Sequence, residues 1–499
     1  MRAAGDERIK APRLLPIPLA GTIGLIGSGL VLFGAAQPGS PFTVQSAGAW
    51  FFGSGTGVGT VGANHRFLGV ILVYLGIGLL LGSWYEIVRA VRARPGTPIT
   101  HVVAVLVTWE VPMLFSSPLF SRDVYSYAAQ GALVTKNINP YTHGPNVLGG
   151  GRFLSLVEPQ WRHWPAPYGP AWERLSGWIV QLSGHDVAAA VVGFRLVALL
   201  GVTLLAVAVP VLARSIGRDP SVALAFAVLN PLVLLDLLGA AHNDALMLGL
   251  LVAGCALARR HHVVAGLALC TLAGEVKLPG FLGVVFIGWW WAGAEAGWRQ
   301  RWERLVGAVG LAAGAVVIIG AVAGLGWRWI GALSNPGVVV SWLDPATSVG
   351  LALARLASAL GYVGHQMGFV HGVRLVGLVL AAVIAVRLLL RSRDHRDLAA
   401  LGWSLLAFVV LGPVVWPWYE TWGSVFLAVV AEGWIVPFLF VLSAVACVAD
   451  VPEPRVLTAG SPLLVALCWA GLGALVGLYL LTRVLPLVRG NDRFTTIEA

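Results

Sequence analysis

LFSSPLFSRDVYSYAAQGALVTKNINPYTHG, residues 114–144, interrupts a chain otherwise made of apolar runs and gathers an acid, an amide, a lysine and three phenols in one place. What surrounds it decides the fold. The 499 residues are 58% hydrophobic and 11% charged, with a mean hydropathy of +0.81, too few charges to coat a soluble globule of this size. Apolar runs cover 17–36, 67–91, 99–115, 187–213, 221–240, 244–258, 262–275, 278–294, 305–325, 370–390, 398–415, 419–449 and 461–487. At about 20 residues per crossing they predict an all-α, polytopic integral membrane helical bundle of about 13 to 14 transmembrane helices. The run 419–449 reads either as one tilted span or as two short ones split near Glu432 and Gly433. The whole chain, 1–499, is one membrane domain, and 116–186 is its first large loop.

The net charge of +10 does not form one basic face, so it does not indicate nucleic acid. Basic residues cluster instead in every second loop: Arg2, Arg8, Lys10 and Arg13, then Arg89, Arg92 and Arg94, then Arg214 and Arg218, then Arg259 and Arg260, then Arg299, Arg301 and Arg304, then Arg387, Arg391, Arg393 and Arg396. By the positive-inside rule these loops and the N-terminus are cytoplasmic in a multi-pass plasma-membrane protein. The loop 116–186, AHND at 241–244, GEVKLP at 274–279, the stretch 326–347 and WPWY at 416–419 then share the extracytoplasmic face. The basic N-terminus runs into an apolar segment without a small-residue cleavage site and reads as an uncleaved anchor. Cys255, Cys270, Cys447 and Cys468 lie in apolar runs without metal-ligand spacing and read as packing thiols. No internal or inverted repeat supports a lipid or solute transporter, the rival from another class.

Within the loop, Ser121 can cap a helix whose apolar positions Val124, Tyr127, Ala128 and Val134 recur at helical spacing, and Asn139 before Pro140 closes it. Short and two-sided, it belongs on a membrane surface or under a lid. A second surface helix is expected over 172–182. Asp123, Tyr127 and Gln130 share one face of the first helix, and Asp123 stands in its first turn, where the macrodipole favours the carboxylate. That suits a base, although an aspartate that only steadies its own helix would look the same. In AHND, Asn243 can cap and Asp244 can complement a helix dipole, which leaves His242 as the surplus residue at a helix start suited to phosphate. GEVKLP places Glu275 and Lys277 inside a helix break between Gly274 and Pro279, and ionisable groups at such depth usually face a cavity, unless Lys277 merely snorkels. The aromatic groups Trp161, Trp164, Tyr168, Trp172 and Trp416, Trp418, Tyr419, Trp422 read mostly as an interfacial belt, with a minority contacting sugar.

SRDVYSYAAQG, NPY and PAPYGP in the loop, followed by AHNDALM and VKLPG, resemble the actinobacterial polyprenol-phosphomannose-dependent α(1→6)-mannosyltransferases, membrane glycosyltransferases of the C type. The resemblance runs in order from about Ser116 to Pro279. It implies a GT-C bundle with 116–186 as the extracytoplasmic catalytic loop. It also implies transfer of mannose, with inversion, from a polyprenyl-phosphate-mannose donor to a mannan or phosphatidylinositol-mannoside-type glycolipid acceptor, with no metal and no other cofactor. The family's catalytic base carries over onto Asp123. Lys277, His242 and Arg122 are the candidates for the donor phosphate, and Tyr127, Gln130, Asn139, Tyr141, Tyr168, Asn243, Asp244, Trp418 and Tyr419 for other substrate contacts. Nothing in these motifs reads the sugar, so a transferase for lipid-linked arabinose or glucose stays open.

Overall fold

The computed structural model describes residues 14–37, 40, 42–43, 63–339, 344–362, 364, 367–393 and 397–449, and every regular element among them is helical. Helices α1 (Ile17–Ala35), α2 (Ala63–Ala93) and α3 (Ile99–Phe115) open the chain. A Cβ at Gly27 would sit 2.8 Å from the Gly76 carbonyl oxygen, and one at Gly34 2.7 Å from that of Gly69. Only glycine allows this approach of α1 to α2, and in lipid, where apolar burial gives helices no mutual drive, such seams hold them together. Trp109 on α3 closes over Gly24 and donates its indole N–H to the Gly21 carbonyl at 2.8 Å.

The long loop contains α4 (Asp123–Thr135), α5 (Gly151–Ser155) and α6 (Pro170–Leu182). Of the two places the sequence allows for α4, a membrane surface or under a lid, the structure favours the covered one: every residue from Val124 to Val134 is buried. Gly131 lies against the Ser176 backbone and Gly177 takes the Val134 side chain, so α4 and α6 close on each other where a Cβ on either glycine would clash. The polar face of α4 turns to an internal cavity instead of to headgroups. The second expected helix forms as α6 and does keep an outer face, with Trp178 57% exposed while Trp172 and Glu173 are buried.

Helix α7 (Val187–Ser215) begins with Asp186 accepting from the Ala189 N–H at 2.8 Å, and α8 (Pro220–Ala227) is capped in the same manner by Asp219. Buried Arg195 on α7 donates to the Ser116 carbonyl at 2.5 Å and the Gly239 carbonyl at 2.8 Å, fastening the start of the long loop to the next break. There a π-helical segment, Val233–Gly239, meets α9 (Asp244–Arg259) at 111°. The pair is sharply bent at the AHND break. Helix α10 (Val263–Val276) stops at Lys277, which is extended at φ −155°, and α11 (Phe281–Trp290) resumes after Pro279, as the GEVKLP break predicts.

The remaining helices are α12 (Trp298–Ala323), α13 (Trp329–Ala332), α14 (Pro345–Ala359), α15 (Met367–Arg391), α16 (Leu398–Leu411), α17 (Thr421–Val429) and α18 (Ile435–Ala449). The run 419–449 is broken at 430–434, between α17 and α18, where the sequence allows a split. Among the described residues α1, α2, α7, α12 and α15 are long and apolar enough to cross a membrane, six spans if the broken pair counts as one, and α3, α10, Leu278–Trp290, α16 and α18 are shorter apolar helices. The protein is a polytopic helical membrane protein. The expected span 461–487 with Cys468, the basic N-terminal residues and Arg396 lie outside the described residues. Cys255, Cys270 and Cys447 are buried free thiols.

Contacts sort several of the turns into two sets. Gly96 donates to Asp219 at 3.2 Å, Ser221 to the Thr97 carbonyl at 2.7 Å and Arg92 to the Ala431 carbonyl at 3.4 Å, while Arg218 pairs with Glu432. These join the Arg-bearing turns after α2 and α7 to the turn after α17. The loop 116–186, VKLP and WPWY meet elsewhere, around one cavity, with AHND packed behind it.

Candidate active site

That cavity has a volume of about 450 Å³, and its wall draws on α4, the PAPYGP segment, the Lys277 break, α11, α16 and the WPWY turn. Asp123 and Lys277 are the only charged residues lining it among the described residues. Asp123 begins α4 with its N–H held by the Ser121 hydroxyl at 3.1 Å, but the N-cap position falls on Arg122 and carries no side-chain cap, so Ser121 steadies the approach to the helix without capping it. The cavity face of α4 consists of Asp123, Ser126 and Gln130. Tyr127, expected on that face, is rotated away: its hydroxyl donates to Asn243 Oδ1 at 3.3 Å and its ring meets those of Tyr168 and Trp172 edge-on. Ser126 takes its place, at the i+3 position that helical spacing allows.

Lys277 is locked from several directions. Its ammonium lies 2.7 Å from Asp244 Oδ2, 4.5 Å from the centre of the Tyr419 ring and 5.5 Å from that of Trp422. The Trp422 indole N–H in turn donates to Asp244 Oδ1 at 2.7 Å. Asp244 is fully buried and stands behind Lys277, outside the lining. The expectation that Asn243 caps α9 is therefore corrected, while Asp244 does stand in that helix's first turn, where it complements the dipole as expected. Neither caps α9 through its side chain; one accepts from Tyr127 and the other bridges Lys277 to Trp422.

Other predicted residues lie off the cavity. Arg122 pairs with Glu158 at 3.3 Å. His242 is wholly buried, its ring centre 4.0 Å from that of Trp418 and neither ring nitrogen hydrogen-bonded among the described residues. Trp418 is buried and stacks at 5.3 Å on Trp416, which does line the cavity. Asn139 spends its side chain on the Leu325 carbonyl at 2.8 Å and the Tyr141 N–H at 2.8 Å. Tyr141 packs with Leu325 and Trp329 and borders a second, more open hollow of about 380 Å³ with Arg328 and Asn335. Gln130, Tyr168 and Tyr419 are in the lining as expected, joined by Asn335, which donates to the Pro165 carbonyl at 2.9 Å.

Of the aromatic groups expected mostly at an interface and partly at sugar, six are on the cavity wall. Trp161, Trp164, Tyr168, Trp416, Tyr419 and Trp422 line the cavity, while Trp172 and Trp418 back it. Burial, reinforced by the Asp123 and Asp244 carboxylates, holds the Tyr168 phenol well above its ordinary pKa; burial, the Tyr168 phenol and Asp123 do the same for Tyr127. Both phenols therefore stay neutral donors near pH 7. Sequence reasoning missed Arg195, an arginine within an apolar run that the positive-inside count passes over, and also Ser126 and Asn335. Among the described residues no group of three or more His, Cys, Asp or Glu is placed to hold a metal ion.

The arrangement joins a carboxylate at a helix start, a preorganised ammonium and aromatic walls in one hollow. Comparison with known proteins adds to it. The family model for the α-(1→6)-mannopyranosyltransferase N-terminal domain matches residues 21–293, and the model for the MptB C-terminal domain matches 346–482. The chain is 36% identical to α-(1→6)-mannopyranosyltransferase A of Mycobacterium tuberculosis over 73% of this chain and 72% of that protein. It is 32% identical to a probable α-(1→6)-mannopyranosyltransferase of Mycolicibacterium smegmatis over 85% and 82%, and 29% identical to α-(1→6)-mannopyranosyltransferase B of Corynebacterium glutamicum over 85% and 75%. No solved structure matches the chain.

Proposed function

The chain belongs to the α-(1→6)-mannopyranosyltransferase family and is a membrane-embedded transferase, and from that premise we propose that it moves mannose from a polyprenyl-phosphate donor to the 6-hydroxyl of a mannan or glycolipid acceptor on the extracytoplasmic face. The observation that carries this reading is that one carboxylate and one ammonium, Asp123 and Lys277, are the only charged groups on the cavity wall among the described residues.

In the proposed reaction Asp123 takes the proton of the acceptor 6-hydroxyl as its oxygen bonds to the anomeric carbon. The bond from that carbon to the phosphate oxygen breaks in the same displacement, and the lipid monophosphate departs with the electron pair. A single in-line displacement inverts a β-linked donor to an α product. Lys277, already fixed by Asp244, Tyr419 and Trp422, meets the charge that grows on the departing phosphate without having to reorganise. Tyr168 and Tyr419 lie where they can bond sugar hydroxyls, and Trp161, Trp164 and Trp416 offer faces for the ring.

The test is sugar incorporation by the purified full-length protein in detergent, where no compartments exist for a transporter to work between. Polyprenyl-phosphate-mannose should support transfer to an α-(1→6)-mannan oligosaccharide, with Asp123 required. Transfer from polyprenyl-phosphate-arabinose or -glucose in preference to mannose, or no transfer from any of the three, would overturn the assignment.

A further inference from the structure

Arg195 stands on α7 among apolar neighbours and is 2% exposed. An arginine so deeply placed in a membrane helix is costly, and such groups are kept for a task. Its guanidinium reaches the ends of two different helices. Nη1 donates to the Leu114 carbonyl at 3.2 Å and the Ser116 carbonyl at 2.5 Å, where α3 finishes, and Nη2 donates to the Gly239 carbonyl at 2.8 Å, where the π-helical segment finishes. Helix C-termini present unpaired carbonyls and partial negative charge, so a planar cation with donors on several sides suits two of them at once.

Each of these ends leads into one half of the site. From Ser116 the chain runs to Asp123; from Gly239 it runs to Asn243 and Asp244, and Asp244 holds Lys277 at 2.7 Å. Neither stretch has slack. The Leu119 N–H donates to the Gly239 carbonyl at 3.4 Å, and Phe120 is left-handed at φ 59° with its N–H on the Phe42 carbonyl at 2.9 Å. The Ser121 hydroxyl then takes the Asp123 N–H. On the other stretch Ala241 is left-handed at φ 58°, and Asn243 accepts from Tyr127 of α4. Residues other than glycine hold such φ values only where their surroundings fix them. A displacement at Arg195 is therefore passed to Asp123 along one stretch and to Asp244 along the other.

We infer that Arg195 is a positioning residue: by tying the end of α3 to the end of the π-helical segment, it sets the spacing between the Asp123 carboxylate and the Lys277 ammonium. This rests on the reading of Asp123 as base and Lys277 as phosphate partner. Arg195→Lys keeps the charge and loses the fork, so it cannot serve both helix ends in the same geometry. In the full-length protein it should lower kcat with polyprenyl-phosphate-mannose by about 10-fold to 100-fold, as a misplacement on the order of 1 Å does. The donor Kd should stay within about threefold, because the net around Lys277 is intact. The same substitution made in Asp123→Asn should change the residual turnover by less than about twofold, since no base remains to be misplaced. A residue that only supports the fold slows both proteins by the same factor, and that result, or a kcat near wild type for Arg195→Lys, overturns the inference. A second measurement needs no variant of Arg195. In hydrogen exchange on the wild type, the amides of 119–123 and 240–244 should open together, with protection within about threefold of each other. A larger difference overturns the tie, whether or not Arg195→Lys folds. If Asp123→Asn alone transfers at nearly the wild-type rate, the reading of Asp123 falls and the spacing role with it; if Asp123→Asn is slow and Arg195→Lys costs the same factor in both backgrounds, only the spacing role falls.

Discussion

The two charged groups of the cavity are held in different ways. Asp123 is positioned through its backbone: it starts a helix whose first turn is fixed by the Ser121 hydroxyl and whose body is locked to α6 at Gly131 and Gly177. Lys277 is positioned through its side chain, in a net of one buried carboxylate and two aromatic rings. A group that meets developing charge works best when it is already oriented, and a helix start favours the charged form of a carboxylate that is to take a proton. On the proposed reaction, the comparison separates a loop wall that would take the proton from a wall of helix breaks that would hold the leaving group. Each substitution below strikes one side of it.

The largest effect is expected at Asp123. Asp123→Asn removes the base and should lower kcat by about 10² to 10⁴ while donor affinity stays close to wild type. Equal losses in kcat and donor affinity, measured by steady-state kinetics and by titration with the lipid donor, would mean that Asp123 also holds the donor and would dissolve the division between the walls.

Next comes Lys277. Lys277→Met should weaken donor binding by about 10-fold to 100-fold and also destabilise the fold, because Asp244 is left buried without its partner, at a cost of about 3 to 5 kcal/mol. The double substitution Lys277→Met with Asp244→Asn should recover most of the thermal stability and none of the donor affinity. Recovery of both would show that the net serves folding alone.

Asp244→Asn by itself gives a smaller change. The indole of Trp422 and the ammonium of Lys277 both lose a charged acceptor, so Lys277 is less well held although still present. Donor KM should rise several-fold with kcat changed less than twofold. A larger fall in kcat than in affinity would place Asp244 in the chemistry and move it from the second wall to the first.

Much of this was legible in the chain. The all-helical membrane architecture, the break at Lys277, the helix after Ser121 and the meeting of the long loop, VKLP and WPWY around one hollow follow from hydropathy and from proline and glycine. Against the expected number of about 13 to 14 spans, five helices, or six with the bent pair, are long and apolar enough to cross among the described residues. What was not legible depends on rotation and depth. Helical spacing puts Asp123 with either Ser126 or Tyr127, and only the packing of Tyr127 between Tyr168, Trp172 and Asn243 settles which one faces the cavity. Asn243 and Asp244 look like caps in sequence because capping is a local pattern, while their partners Tyr127, Lys277 and Trp422 lie more than thirty residues away. The aromatic groups read as a belt because tryptophan at an interface and tryptophan around a cavity have the same composition.

The smallest effect on turnover is expected from a residue that belongs to the loop wall but not to its cavity. Glu173 on α6 is fully buried, and neither carboxyl oxygen has a hydrogen-bond partner among the described residues. Burial pushes its pKa well above the ordinary 4.5, so the folded protein holds it as the neutral acid. A carboxyl with a raised folded pKa supports the fold fully below its unfolded pKa, and that support is lost as pH rises toward the folded value. Wild-type thermal stability should accordingly decline between about pH 5 and pH 8 by more than that of Glu173→Gln, which stays neutral over that range. The variant should match the wild type at the acid end, exceed its Tm by a few degrees at the alkaline end, and keep kcat within about twofold, as expected of a residue that serves only to seat the helix behind Asp123. A flat difference across pH would mean that Glu173 is charged in the folded protein and has a partner, and the loop wall would then be held by side chains in the same way as the wall of helix breaks.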